Sequence, residues 1–127
     1  MKLLLDTHAF LYFLTGDPRL SPKARRAVEE GEEVYVSAAS VWEMAIKASL
    51  GRLDLPEDLE AFLAEVFRSE AFLPLPVSLV HAAAVRALPW HHKDPFDRLL
   101  VAQAREEGLA LVSKDAILDR YGVERIW

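Results

Sequence analysis

Four acidic residues stand at places where apolar runs stop or helices begin. Asp6 closes Leu3–Leu5 in "LLLDTHAF", Glu43 ends "SVWE", Asp97 follows Asp94 in "HHKDPFDRLLVAQA", and Asp115 follows an apolar run in "LVSKDAILDRYGVERIW". The chain has no cysteine, so disulfides, thiolate ligands and thiol nucleophiles are excluded and chemistry falls to carboxylates, histidines and hydroxyls. Carboxylates sharing one pocket repel and raise one another's pKa values unless a cation is present. A hard divalent ion such as Mg²⁺ or Mn²⁺ suits oxygen-only ligation. Such a site fits hydrolysis of a phosphodiester by metal-activated water.

Each acid also has a local explanation. Ser40 and Glu43 match a capping box at the start of a helix, and Glu43 lies one turn before Lys47. Asp94 before Pro95 reads as an N-cap with proline at the first helical position, and Asp97 then sits in the positive first turn. Asp115 could cap the short helix after it, and Asp6 the helix from Thr7, although a carboxylate buried at a strand end is costly without compensation. Asp97, Leu100, Val101 and Ala104 share one helical face, which puts a charge on an apolar stripe that a merely solvated acid would avoid.

The elements that must position these acids follow from the pattern. Leu3–Leu5, Val34–Val36 and Leu109–Val112 are short apolar runs expected of strands buried on both faces, with Val123–Trp127 an edge strand. Phe72–Leu75 is a weaker strand, confined to an edge by Pro74. Helices are predicted over Thr7–Thr15, Pro22–Glu30 and Ala39–Leu50, each stopped by glycine, and over Glu57–Phe67, Ser78–Ala87, Pro95–Glu107 and Ala116–Tyr121. Strands separated by helical crossovers pair in parallel, giving a three-layer α/β/α domain. Ligands of such sheets bind beyond the carboxyl ends of the strands, where Asp6 and Asp115 converge if their strands are neighbours.

Composition sets the outer limits. The 127 residues, 52% hydrophobic and 28% charged, suit one domain over residues 1–127, without repeats, linkers or low-complexity segments. A net charge of −5 does not advertise a basic nucleic-acid binder, but acids neutralised by cations leave room for a phosphodiester site. No apolar run approaches a membrane span and the N-terminus lacks the order of a secretory signal, so no membrane association and a cytoplasmic location are expected.

Taken together, "LLLDTHAF", "SAASVWEMAIKASLGRL", "HHKDPFDRLLVAQA" and "LVSKDAILDRYGVERIW" resemble the successive motifs of the PIN-domain family, specifically the VapC-type toxins of toxin–antitoxin pairs. The resemblance spans essentially the whole chain. It implies a central parallel sheet of about five strands in the order 3-2-1-4-5, and a Mg²⁺- or Mn²⁺-dependent endoribonuclease. The family's acidic quartet carries over to Asp6, Glu43, Asp97 and Asp115 as catalytic metal ligands. Asp94, in the extended "DPFD" form of the third motif, joins the metal-facing acids, with a supporting role and a capping role both open. Ser113 takes the hydroxyl position two residues before the last acid, where it could hydrogen-bond a neighbouring carboxylate. The resemblance also implies an RNA substrate, a cognate antitoxin and a homodimer.

Lys47, Arg98 and Lys114 lie near the acids in sequence and are candidates for RNA phosphates or, at least equally, for salt bridges to those acids. His91 and His92 are expected to be solvated or capping rather than ligating, and His8 and His81 have no partner at ligand spacing in the sequence. Phe10, Tyr12 and Phe13 make the first helix apolar almost all round, as expected for burial on several sides or an apolar surface for another chain. Rival readings are weaker. A receiver domain would want an acid after a middle strand, where "VYVSAAS" offers none, and a haloacid-dehalogenase-like phosphatase would want an Asp where His8 stands. A non-catalytic binding module of the same fold has no need to concentrate acids.

Overall fold

The computed structural model describes residues 1–69 and 71–127. Five strands form one sheet: β1 (Lys2–Leu5), β2 (Glu33–Ser37), β3 (Leu73–Leu75), β4 (Ala110–Val112) and β5 (Arg125–Ile126). All neighbours pair in parallel in the order β3-β2-β1-β4-β5, which is the expected topology. Pro74 is tolerated because β3 is an edge strand with one neighbour, β2.

Alternation along the strands builds two cores, one on each face. Leu3, Leu5, Val34 and Val36 point to a layer formed by α1 (Thr7–Thr15), α2 (Pro22–Glu30) and α4 (Leu59–Arg68), where Phe10, Val28 and Phe67 pack. Leu4, Tyr35 and Leu111 point to the opposite layer of α5 (Leu79–Ala84) and α6 (Pro95–Glu107), where Leu100, Val101 and Ala104 pack. The third helix, α3 (Ala38–Ser49), contributes Ala39 to the second core and Met44 to the first, so it closes the sheet's end. Among the described residues no helix is long and apolar enough to cross a membrane.

Several local expectations are corrected. The helix predicted over Ser78–Ala87 is α-helical only through Ala84 and tightens to 3₁₀ over Val85–Ala87, and Ala116–Tyr121 is 3₁₀ throughout. The capping box assigned to Ser40 and Glu43 does not form. Ser37, still extended at the end of β2, caps α3 by accepting from Ala39 N–H, which leaves Ser40 inside the helix with an unpartnered buried Oγ and Glu43 beyond the first turn. The glycines that stop helices act for different reasons. Gly16 is left-handed at φ 66, whereas Gly31 is at φ −65 and serves close packing, since a Cβ there would stand 2.8 Å from Val34 Cγ2.

Candidate metal centre

The carboxyl ends of the three central strands place the acids. β1 lies between β2 and β4, and the Asp6 N–H donates to Val112 O (3.0 Å), extending the ladder by one residue and fixing Asp6 beside the Ser113–Asp115 turn. The chain then turns into α1, with Asp6 Oδ1 accepting from Ala9 N–H at 2.8 Å. Asp115 Oδ1 accepts from Ile117 N–H (3.1 Å) at the start of its 3₁₀ turn. Asp94 Oδ1 accepts from Phe96 N–H (2.8 Å) and Asp97 N–H (3.2 Å), capping α6 behind Pro95 and placing Asp97 in its first turn. The capping readings of Asp6, Asp94 and Asp115 therefore hold geometrically while these acids also face one another.

All five acids, Asp6, Glu43, Asp94, Asp97 and Asp115, line one open cleft of ≈ 280 Å³. Glu43 is buried, with Oε1 receiving the Thr7 hydroxyl at 2.6 Å and Oε2 the Lys47 ammonium at 2.8 Å. The Trp42 ring meets Phe96 edge-on at 5.2 Å, bracing the α3 turn that carries Glu43 against the start of α6. Asp6 is 9% exposed, and burial pushes its carboxyl above the usual range, with the charge of Glu43 adding to the rise while Ala9 N–H and the Ser113 hydroxyl oppose it. Asp97 is pushed up to about 7, chiefly by burial and then by the charges of Asp94, Asp6 and Glu43. Raised carboxylates in a shared cleft are the electrostatic signature of a group short of positive charge. The donor set is hard oxygen, and Lys47 and Lys114 are the only Lys or Arg side chains among the lining residues. These residues fit a hard divalent cation.

The histidine reading is corrected. His92 enters the site: its Nε2 lies 2.7 Å from Asp115 Oδ2 and 3.3 Å from Asp97 Oδ2. Among the described residues, one ligand atom from each of His92, Asp97 and Asp115 fall within 4.8 Å of one another. The sequence signal was its place two residues before the Asp94 cap, but only the tertiary fold brings Asp115 beside it. Thr7 was also missed, although it directly follows Asp6. His8 lines the cleft, while His81 is buried outside it in α5, between Ser78 N–H and Glu107.

The basic candidates separate. Lys47 pairs with Glu43 and Lys114 lines the cleft. Arg98 is removed from the RNA-facing set: it is 3% exposed, donates to the carbonyls of Val85, Leu88 and Pro89 and to Tyr121 Oη, and stacks 3.8 Å from the Trp90 ring centroid.

With the geometry in place, likeness to known proteins is specific. The model of the PIN domain matches residues 3–124. The chain is 34% identical over 114 residues to Ribonuclease VapC22 of Mycobacterium tuberculosis, covering 89% of this chain and 86% of that protein. VapBC2 from Rickettsia felis, bound to a DNA fragment from its promoter, superposes with a TM-score of 0.66 over 100% of both chains at 14% identity. FitAcB from Neisseria gonorrhoeae gives 0.63 over 97% of this chain and 95% of its own at 20% identity. At such identities the structures speak for the fold alone.

Proposed function

The chain belongs to the PIN-domain family, among its VapC-type members, and from that premise we propose that it is a Mg²⁺- or Mn²⁺-dependent endoribonuclease, the toxin of a toxin–antitoxin pair. The observation that carries this reading is the convergence of Asp6, Glu43, Asp97 and Asp115 on one cleft, with the carboxyls of Asp6 and Asp97 held above their ordinary range. The ribonuclease name of the 34% identical relative supports the same assignment.

In this reading Asp97 and Asp115 hold the cation together with Asp6 and Glu43, and Asp94 keeps Asp97 in place through the cap. When bound, a divalent cation supplies Lewis-acid activation of water and charge neutralisation at the phosphate. Thr7 orients Glu43 through its 2.6 Å hydrogen bond. Lys47, on the other oxygen of Glu43, is placed to turn toward a phosphate once a cation satisfies that carboxylate. No protein nucleophile is required. The antitoxin partner is proposed from the toxin–antitoxin neighbours, and a homodimer is supported by the apolar residues exposed around the start of α5, where Leu79 is 90% and Val80 61% exposed.

The test is cleavage of a panel of structured RNAs by antitoxin-free protein with Mg²⁺, Mn²⁺ or chelator, beside Asp6→Asn. Metal-dependent cleavage lost in the variant is expected. Folded protein that neither cleaves nor binds Mn²⁺ would instead be a binding module.

A further inference from the structure

His92 makes five polar contacts that fix both its position and its tautomer. Its own N–H donates to Tyr121 Oη at 2.9 Å, and its carbonyl accepts from Arg98 at 3.5 Å, so the backbone is held from two sides. The imidazole Nδ1 accepts the Asp94 N–H at 3.0 Å. A backbone N–H can only donate, so Nδ1 must present its lone pair and carries no proton in this geometry. In the neutral ring the proton is then on Nε2, the atom 2.7 Å from Asp115 Oδ2 and 3.3 Å from Asp97 Oδ2.

A metal-ligating histidine ordinarily has the opposite arrangement, one nitrogen on the metal and the other donating a proton to a supporting acceptor. Here the supporting contact to Nδ1 is a donor. Ligation through Nε2 would require either breaking the Asp94 contact or removing the last ring proton. The position of Nε2 within 4.8 Å of the Asp97 and Asp115 oxygens is therefore not the mark of a third ligand. It is the mark of a donor shared by two carboxylates.

We propose that His92, locked as the Nε2–H tautomer by the Asp94 N–H, is a positioning residue that clamps Asp115 and Asp97 in metal-binding register without itself ligating the cation. The inference rests on the nuclease reading of the cleft and deepens it. Asp115 is gripped through both oxygens, Oδ1 by Ile117 N–H and Oδ2 by His92, and each oxygen keeps a lone pair for a cation. A carboxylate already oriented loses less side-chain entropy on binding the ion. The clamp also explains the adjoining sequence: besides the clamped acids, the residues bonded to His92 are Asp94, which caps α6, and Arg98 and Tyr121, which hold the loop before it.

The experiment is Mn²⁺ titration of metal-free protein followed by electron paramagnetic resonance, for the native chain, His92→Gln and His92→Phe, with electron spin-echo modulation of the bound ion. Gln can accept from Asp94 N–H and donate to Asp115, whereas Phe can do neither. Mn²⁺ affinity is expected to fall roughly 10–100-fold in His92→Phe and to recover most of that loss in His92→Gln, with no directly coordinated imidazole nitrogen in the native spectrum. A coordinated-nitrogen signal that vanishes in His92→Gln would overturn the clamp and make His92 a ligand. Native affinity in folded His92→Phe would overturn it equally, and if that variant does not fold the echo spectrum and the Gln variant still decide. Failure of the native chain to bind Mn²⁺ would defeat the metal reading itself, an outcome distinct from binding with nitrogen attached.

Discussion

Asp97 is where the electrostatics of the site can be measured without substrate. Its carboxyl is pushed from the usual 3.8 up to about 7, first by burial and then by Asp94, Asp6 and Glu43, against the opposing pull of His92. Between those two values the folded, metal-free protein keeps a proton that the unfolded chain has released, so stability falls as pH rises through that window. Below it both states are protonated and the penalty is gone. Asn is neutral at every pH and close to Asp in shape. Asp97→Asn should therefore unfold at higher denaturant than the native chain near pH 8 in chelator, by about 1–3 kcal/mol after allowing for partial exposure, with less than half of that advantage left near pH 5 and none below the lower value. A difference of equal size at both pH values would mean that packing, not charge, governs the site. The stability gain and the loss of metal binding would come from the same substitution. At this scale the acids were legible in the sequence because a carboxylate at the end of an apolar run has few inexpensive explanations. His92 was not, because its two partners, Asp97 and Asp115, lie on different elements and only one of them is near it in sequence.

The segment before α6 shows what sequence patterning leaves out at the level of elements. Arg98 sits one residue after Asp97 and reads as a surface cation beside an acidic motif, yet it is 3% exposed and its guanidinium reaches the carbonyls of Val85, Leu88, Pro89 and His92. Val85 O belongs to a 3₁₀ turn and also accepts from Leu88 N–H, but the carbonyls of Leu88, Pro89 and His92 lie in an irregular stretch with no ladder of its own, and buried backbone acceptors need donors. Arg98 supplies them in a planar fork that Lys cannot reproduce, and stacks under Trp90 as well. Arg98→Lys should cost roughly 2–4 kcal/mol in urea unfolding, since carbonyls left without donors each carry a desolvation penalty. A loss under half a kcal/mol would show that water reaches them. Helix existence, by contrast, was readable almost everywhere, because apolar patterning, stopping glycines and the Asp94 cap mark it, although the helix expected from Glu57 starts at Leu59 behind an Asp58 cap. The misread start of α3 has a clear cause. Ser37 and Ser40 are both competent caps, and the end of β2, which only pairing with β1 defines, selects Ser37.

For the molecule as a whole, the parallel order matters more than any one element, because it lays the ends of β1, β2 and β4 side by side and folds α6 back over them. Apolar strands separated by helices indicated a parallel α/β sheet, but the order itself was implied by the family resemblance; periodicity carries no information on which strands are neighbours. The consequence is that the cleft gathers its acids from four separate parts of the chain: the end of β1, α3, the start of α6 and the turn after β4. In the unfolded chain these acids are far apart and cannot form the site, so a cation that the folded protein holds should stabilise the entire fold by mass action. At a free Mn²⁺ concentration about one hundred times its dissociation constant the gain is about 2.7 kcal/mol, to be read from denaturant unfolding across a metal series. The gain should grow with each further tenfold rise in metal and should be larger near pH 8 than near pH 5, where the cation must first displace the proton of Asp97. Asp6→Asn, which retains the β1 end and an oxygen to accept from Ala9 N–H, should keep the fold and lose most of the increment. An increment unchanged in Asp6→Asn would place the stabilising ion elsewhere on the surface, and separate the acidic cleft from the metal it has been assigned.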